Sequence, residues 1–528
     1  MNNISIYGGH NASVSFCDSN NKYRILELER LFCKRYFMLF DKNENEFIDI
    51  INEVLKIAHD YWGISNDFEN CAYGINGSAH INAIKKVLNV KNIIQYDHHL
   101  SHAACAFYQS PFEESIIISF DGGGNDGVFN VYKGNKKEGI KKINFSSSIN
   151  LGHAYMLTAY PIKEIQNIKG RLPEDLALAG KMMGLVAYGK YKQEWLQNMI
   201  DFYKQTGNWN LEQLGKKINL NLNINAIEKQ DAYDFAATSQ KAFEIIFLDL
   251  LDQIIMFCKE NDINIENICL TGGAALNVLL NEILIRGEKY SNNFFIPPNP
   301  DDGGLSLGQL FLINQEKNQH DITFNGLPIL DENEFSQFIK NRKNKKISDF
   351  ELAQYISDGK IVGIIENDSE VGPRALGNRS IICDPRFFDM KDILNSKVKF
   401  REWFRPFAPV ARQKDAEKYF ELKNKIGKNH KFMSFAPIVK EEYIKILPSI
   451  THYDQSSRLQ IVFEDESSLF HRILDNIEKI NPQLPCVILN TSFNIKGKPI
   501  LSSYQDAFFV LDNTQLDAVY SNGYLFEK

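Results

Sequence analysis

His98 and His102 stand four residues apart in His98-His99-Leu100-Ser101-His102. On a helix that spacing turns two imidazoles to one face, where they can share one metal ion. Downstream, the apolar run from Ser115 to Phe120 ends at Asp121 and opens into Gly122-Gly123-Gly124-Asn125-Asp126-Gly127. A glycine-rich loop at a strand end can offer backbone N–H groups to phosphate, and a carboxylate at its mouth can reach a cation beside that phosphate. Metal and nucleotide are therefore expected at one site. Asp302 is a further ligand candidate, in a second glycine-rich turn after the strand Phe294-Phe295-Ile296, although Asp301 and Asp302 also read as turn or N-cap residues. Two histidines and two aspartates suit iron(II), manganese or zinc, with open positions for phosphate or carbonyl oxygens. A zincin peptidase is disfavoured, because the histidine pair encloses no glutamate.

A second cluster has another character. Glu370 to Ser380 and Lys399 to Phe407 set Arg374, Arg379, Arg401 and Arg405 among glycine, proline and aromatic residues. Repeated arginine suits bidentate binding of phosphate or carboxylate oxygens. Arg401 and Glu402 also read as a surface pair, whereas Lys399 and Arg405 do not read as solvated decoration. Leu489-Asn490-Thr491-Ser492-Phe493-Asn494 supplies amides and hydroxyls after a strand, as another wall of an anion site.

These residues need α/β scaffolding to hold them. Ile4 to Tyr7 reads as a strand, Tyr23 to Leu28 as its return, and Phe47 to Tyr61 as an amphipathic helix ending near Gly63. A second strand-to-glycine turn at Ile268 to Gly273 precedes a helical pattern through Leu276, Val278, Leu279 and Leu280, so two halves are expected to close on one nucleotide. The basic stretch Lys340 to Lys346 reads as an exposed linker. It divides the chain into residues 1–338, a linker at 339–347, and a second α/β domain at 348–528 with strands at Ile361 to Ile365 and Cys486 to Leu489. No internal repeat is legible.

Composition narrows the class. A 528-residue chain with 44% hydrophobic and 24% charged residues is too long for one core. A net charge of −7 gives no general attraction to nucleic acid. Eight scattered cysteines without a C-x-x-C pair argue against a disulfide framework or structural zinc. With no secretory leader and no run near the roughly 18 apolar residues of a membrane span, a soluble cytoplasmic chain is expected.

The ordered motifs resemble those of the O-carbamoyltransferase family that decorates antibiotics and nodulation factors. They are H-x-A-S at His10 to Ser13, HH-L-x-HA-x-x-A-x-Y at His98 to Tyr108, GK-x-MGL-x-A-x-G at Gly180 to Gly189, and GG-x-x-LN-x-x-x-N at Gly272 to Asn281. Further along come GPRALG-x-RS at Gly372 to Ser380, REW-x-RPFAP at Arg401 to Pro409, and LNTSFN at Leu489 to Asn494. The resemblance implies an N-terminal actin and sugar-kinase (ASKHA) domain of two halves, similar to the tRNA threonylcarbamoyl transferase, and a C-terminal YrdC-like domain. It also implies a two-stage reaction. Carbamate from carbamoyl phosphate attacks ATP in the C-terminal domain, giving carbamoyl-adenylate and pyrophosphate, and an acceptor hydroxyl then takes the carbamoyl group in the N-terminal domain as AMP leaves.

Carried over by position, Arg374, Lys399, Arg405, Arg458, Asn490 and Ser492 look like the carbamoyl-phosphate and nucleotide positions of the synthase domain. Gly122, Gly123, Lys181, Gly272, Gly273 and Asn277 look like nucleotide-binding positions of the transferase domain. His98, His102, Asp121 and Asp302 look like the metal ligands, with iron(II) first, manganese or zinc as alternatives, and Mg entering with ATP. His10 is the candidate base for the acceptor hydroxyl. Two departures weaken carboxylate support for it, since the family commonly has aspartate where this chain has Asn11, and the position of Gly8 can be acidic. A sugar or natural-product hydroxyl is the expected acceptor, and a hydroxymethylated pyrimidine in nucleotide or DNA is the runner-up. A homodimer stays open. Competing readings are a fused threonylcarbamoylation enzyme, a hydrogenase-maturation enzyme, which would need C-x-x-C modules, and a nucleotide-binding scaffold without chemistry.

Overall fold

The computed structural model describes residues 2–74, 80–165, 176–287, 289–422, 428–466 and 468–528. The chain packs into two compact units, Met1–Asn277 with Lys289–Asn325, and Val278–Glu288 with Gly326–Lys528. The division thus falls before the expected boundary, and an eleven-residue segment from the middle of the sequence belongs to the second unit.

The first unit contains two five-stranded sheets of one topology. One holds β1 (Asn3–Tyr7), β2 (Ser13–Cys17), β3 (Tyr23–Glu27), β4 (Asp67–Tyr73) and β5 (Asn89–Ile94) in the order β3-β2-β1-β4-β5. The other holds β6 (Glu114–Gly124), β7 (Gly127–Asn135), β8 (Gly139–Ser146), β9 (Asn267–Thr271) and β10 (Asn293–Phe295) in the order β10-β9-β6-β7-β8. In both, the first three strands run as an antiparallel meander and the last two join in parallel. This is the two-halved α/β domain that the resemblance implies. The repeat is one of topology, which the sequence, with no internal similarity to read, conceals.

Local chemistry explains the elements. The helix Glu44–Trp62 starts at a capping box between Asn43 and Glu46 and stops at Gly63, whose left-handed backbone no longer continues it. Ser5, Ser13 and Ser15 turn inward from β1 and β2 onto the helix Leu305–Ile313, bonding Gln309 and Ser306. Small, hydrogen-bonded side chains let that helix ride close to the sheet. The same helix meets His98–Gln109 at Gly308, where an added Cβ would stand 1.9 Å from the Ser101 carbonyl oxygen. Gly308→Val is expected to cost about 1–3 kcal/mol or more by overpacking, read as a lower urea midpoint.

The second unit is an eight-stranded mixed sheet of β11 (Asn344–Lys346), β12 (Val362–Ile365), β13 (Arg379–Cys383), β14 (Ala408–Arg412), β15 (Gln460–Val462), β16 (Val487–Ser492), β17 (Ala518–Ser521) and β18 (Tyr524–Glu527), ordered β11-β18-β17-β12-β13-β16-β14-β15. Alternate residues feed two cores. Val362, Ile382, Val410 and Ile488 enter one, and Ile365, Ile381, Ala411 and Leu489 the other, so both faces are covered. The expected linker at 339–347 is not one. It closes the helix Phe335–Asn341 and then forms edge strand β11, which pairs with β18 from Asn344 opposite Phe526. Its charge is met within the unit, since Arg342 forks onto Asp512 at 3.0 and 2.6 Å while Lys343 and Lys345 face Glu527. Lysine on an edge strand also discourages further strand pairing.

Candidate functional site

In the first unit, His98 and His102 lie on the first turns of the helix His98–Gln109, Asp121 near the end of β6, and Asp302 at the turn before Leu305–Ile313. The four side chains converge, with one donor atom from each lying within 4.8 Å of all the others. His98 Nε2 and His102 Nε2 are 3.2 Å apart, and Asp121 Oδ2 faces them at 3.2 and 3.1 Å. Asp302 Oδ1 lies 3.3 Å from His102 Nε2 and 3.6 Å from His98 Nε2, buried and without a hydrogen-bond partner. Donors held at right angles around a small divalent cation stand about 3 Å apart. A close imidazole pair and an orphaned carboxylate oxygen therefore fit a cation better than they fit a hydrogen-bond network. Burial disfavours charge on His102, but Asp121 and Asp302 outweigh it and push this imidazole up to about 9.

The intervening His99 does another job. Its Nε2 bonds the Gly127 carbonyl at 3.0 Å, its Nδ1 pairs with Ser119 at 2.7 Å, and burial followed by its two histidine neighbours brings it down to about 4. It is a neutral strut under the glycine segment. Asn125 and Asp126 side chains in turn accept from the His98 and His99 backbone N–H groups. The segment differs from the expected phosphate loop, since residues through Gly124 stay in β6 with a register irregularity after Phe120. Gly122 and Gly123 nevertheless face open space.

Asp121 joins the two glycine turns. Its Oδ1 accepts from Gly122 N at 2.6 Å and Gly273 N at 3.2 Å. Gly272, with φ +90°, has no room for a side chain, because a Cβ would meet the Phe120 carbonyl oxygen at 2.2 Å. The other expected nucleotide positions are engaged in local contacts. Asn277 forms a reciprocal amide pair with Gln240, and Lys181 donates to the Ile165 carbonyl. His10 follows β1, with Nε2 at 3.3 Å from Asp302 Oδ2, a side chain 40% exposed and a buried Nδ1 without a partner. Burial pulls its pKa down, yet Asp302, Asp121 and Asp301 raise it overall. Sequence reasoning missed Tyr7, whose hydroxyl donates to that same Asp302 Oδ2. Asp301 caps the turn as the sequence suggests, its Oδ1 accepting from Gly303 N at 3.1 Å, and its carboxyl is pushed up to about 6 by burial and then by Asp302 and Glu29.

In the second unit, Lys399 follows a π-helical turn at Leu394–Val398 and is buried, donating to the Ser492 carbonyl, to Ser492 Oγ at 3.3 Å and to Asn494 Oδ1. Burial, then Arg401 and Arg405, holds its amine well below the usual lysine range. Burial, followed by Arg374, Arg401 and Arg405, likewise depresses Arg458, whose Nε is buried without a partner. Arg374, Lys399, Arg405 and Arg458 thus share one electropositive region, with Ser492 on its wall. Arg401 is no surface group. Its Nε bonds Asn395 Oδ1 at 2.7 Å, its guanidinium covers Phe407 at 4.5 Å, and Glu402 beside it is buried. Asn490 serves as a brace, donating to the Ala375 carbonyl and to Gln460, while Gln460 holds the Leu376 carbonyl. Glu370 accepts from Leu376 N and Arg379 N, closing the loop that carries Arg374.

Comparison with known proteins gives this geometry a context. Residues 27–310 match the family model for a carbamoyltransferase N-terminus and residues 353–528 the model for a carbamoyltransferase C-terminus. The nodulation protein NolO of Bradyrhizobium diazoefficiens is 30% identical across 82% of this chain and 79% of its own. An uncharacterized protein of Methanocaldococcus jannaschii is 30% identical over 99% of both chains, and one of Synechocystis is 29% identical over 84% of this chain and 77% of its own. Both units being matched in order, the chain belongs to the carbamoyltransferase family and is a carbamoyltransferase.

Proposed function

We propose that the chain is an ATP-dependent O-carbamoyltransferase that draws on carbamoyl phosphate and works in two stages, one in each unit. The observation that carries this reading is the crowding of Lys399, Arg401, Arg405, Arg374 and Arg458, five basic side chains of which burial and mutual repulsion depress three. Such a region is relieved by a polyanion, and two phosphorylated substrates supply one. There water hydrolyses carbamoyl phosphate to carbamate and phosphate, and a carbamate oxygen attacks the α-phosphorus of ATP. Carbamoyl-adenylate forms and pyrophosphate leaves, its charge neutralised by the arginines.

In the first unit the acceptor hydroxyl attacks the carbamoyl carbon and AMP departs. His10 takes the hydroxyl proton. Its Nε2 lies 3.3 Å from Asp302 Oδ2, and against the effect of burial that carboxylate makes the imidazole more basic and fixes its orientation. Asp302 replaces the carboxylate that Gly8 cannot provide. His98, His102, Asp121 and Asp302 would hold a divalent cation, iron(II) first and manganese or zinc next, and when bound it supplies Lewis-acid stabilisation of carbamoyl or α-phosphate oxygen. The acceptor class we favour is a sugar or natural-product hydroxyl.

The test is pyrophosphate release from ATP and carbamoyl phosphate without acceptor. Release by the wild type, its loss in Arg374→Ala and its persistence in His98→Ala is the expected pattern. Equal loss in both variants would sink the two-stage assignment. The metal quartet also carries a pH signature. His102 holds a proton up to about pH 9, and a cation needs the neutral imidazole, so apparent Mn(II) affinity should rise with pH toward 9, about tenfold per unit for one displaced proton. Isothermal titration at pH 6.5, 7.5 and 8.5 measures it.

A further inference from the structure

Asp302 has two carboxylate oxygens with different company. Oδ1 points at the imidazole pair and has no hydrogen-bond partner, whereas Oδ2 accepts from the Tyr7 hydroxyl and lies 3.3 Å from His10 Nε2. Tyr7 ends β1, its residue is buried, and its ring meets Phe40 and His98 edge-on at 6.2 and 6.4 Å. The turn after it is shaped around the phenol. A Cβ at Gly9 would stand 2.3 Å from the Tyr7 hydroxyl oxygen, and one at Gly8 would stand 2.7 Å from the Phe40 ring. Gly8 and Gly9 are therefore not merely a flexible approach to His10, because any side chain at Gly9 would displace the hydroxyl from Asp302.

We propose that Tyr7 is a positioning residue of the metal centre, one that keeps Asp302 a one-oxygen ligand by withholding Oδ2. The inference rests on reading His98, His102, Asp121 and Asp302 as a metal site. A carboxylate free at both oxygens can swing to chelate a cation, which would crowd the remaining positions and strip His10 of its partner. With Oδ2 engaged by the phenol and by His10, the carboxylate plane is fixed and only Oδ1 is presented. Partners that orient a ligand in this way typically contribute 10- to 100-fold in metal affinity. Tyr7 touches neither substrate nor cation in this scheme and acts through Asp302 alone.

Cobalt(II) bound to the full-length chain is the probe, because its visible absorption reports coordination number without any turnover. The wild type should take up one cobalt per chain and Asp302→Asn should take up far less. Tyr7→Phe removes a single oxygen and is expected to weaken cobalt binding by about 10- to 100-fold, with lower visible absorptivity as a second carboxylate oxygen joins. Gly9→Ala, which keeps Tyr7 and all four ligands but pushes the hydroxyl away, should change affinity and spectrum in the same direction, and it stands as the test should Tyr7→Phe not fold. Wild-type affinity and spectrum in whichever variant folds would overturn the role of Tyr7. Failure of the wild type itself to bind cobalt would overturn the metal reading and this inference with it.

Discussion

Lys399→Ala should release no measurable pyrophosphate from ATP and carbamoyl phosphate, a loss of at least about 100- to 1,000-fold, by the yardstick of removing one preorganised charge-stabilising donor. The amine is buried against the Ser492 carbonyl and Asn494 Oδ1 and is crowded by Arg401 and Arg405. Before anion binding, its positive charge is opposed by burial and by those neighbours. Once phosphate oxygens arrive, the same charge is favoured, so the group stabilises the bound polyanion with little reorganisation. Alanine removes the charge, while the Ser492 carbonyl keeps the Asn494 N–H and Asn494 Oδ1 keeps the Ser492 hydroxyl, so the loss is chiefly that of the charge. Lys399→Arg is expected to rescue poorly, because a planar fork does not fit a buried point-charge position. Metal content, set in the first unit, should be unchanged in both variants, and unchanged pyrophosphate release in Lys399→Ala would remove this residue from the first stage.

Asp121→Asn should have the opposite profile. Its Oδ2 faces both imidazoles while Oδ1 holds the Gly122 and Gly273 backbones, so both oxygens are committed. An amide has one oxygen to give. It can serve the cation or the two N–H groups, and its NH₂ would oppose whichever partner it meets. Metal affinity is expected to fall by at least about 100-fold, and AMP formation with a panel of sugar acceptors should fall with it, while pyrophosphate release continues. Elemental analysis together with the ratio of AMP to pyrophosphate checks both parts. A wild-type ratio in metal-free Asp121→Asn would show that the quartet is not needed for transfer.

What was legible in the sequence follows from the range of the interactions involved. The spacing of His98 and His102 is a property of one helix, and Asp121 and Asp302 each follow an apolar run beside a glycine-rich segment, so the quartet could be read from local pattern and ordered motifs. Tyr7 could not, because its role depends on Asp302 nearly three hundred residues later and on the bareness of Gly9. Arg401 was open to reading as a surface group because a charged pair in sequence looks the same whether it meets solvent or Phe407 and Asn395. Asn490 lay in the right motif, yet its amide supports the Arg374 loop from behind. The basic run at 340–346 looked like a linker because charge density marks an edge strand and a solvated tether alike, and only pairing with β18 tells them apart. The duplicated topology was invisible for a related reason, since strand order is set by long-range pairing that leaves little trace in composition.

The interleaved course of the chain limits how the two activities can be taken apart. The backbone leaves the first unit after Asn277, contributes Val278–Glu288 to the second, returns through Lys289–Asn325 and leaves again. The helix Val278–Arg286 buries Val278, Leu280 and Leu284, and Asn281 donates to the Ser434 carbonyl at 3.0 Å. A fragment ending at residue 338 would carry this helix without its bed, exposing an apolar stripe, while a fragment beginning at 339 would leave that bed uncovered. No single cut yields two self-sufficient pieces. Half-reactions must therefore be separated by point substitution in the whole chain, and recombining this enzyme's modules with those of relatives requires a three-point graft rather than one crossover.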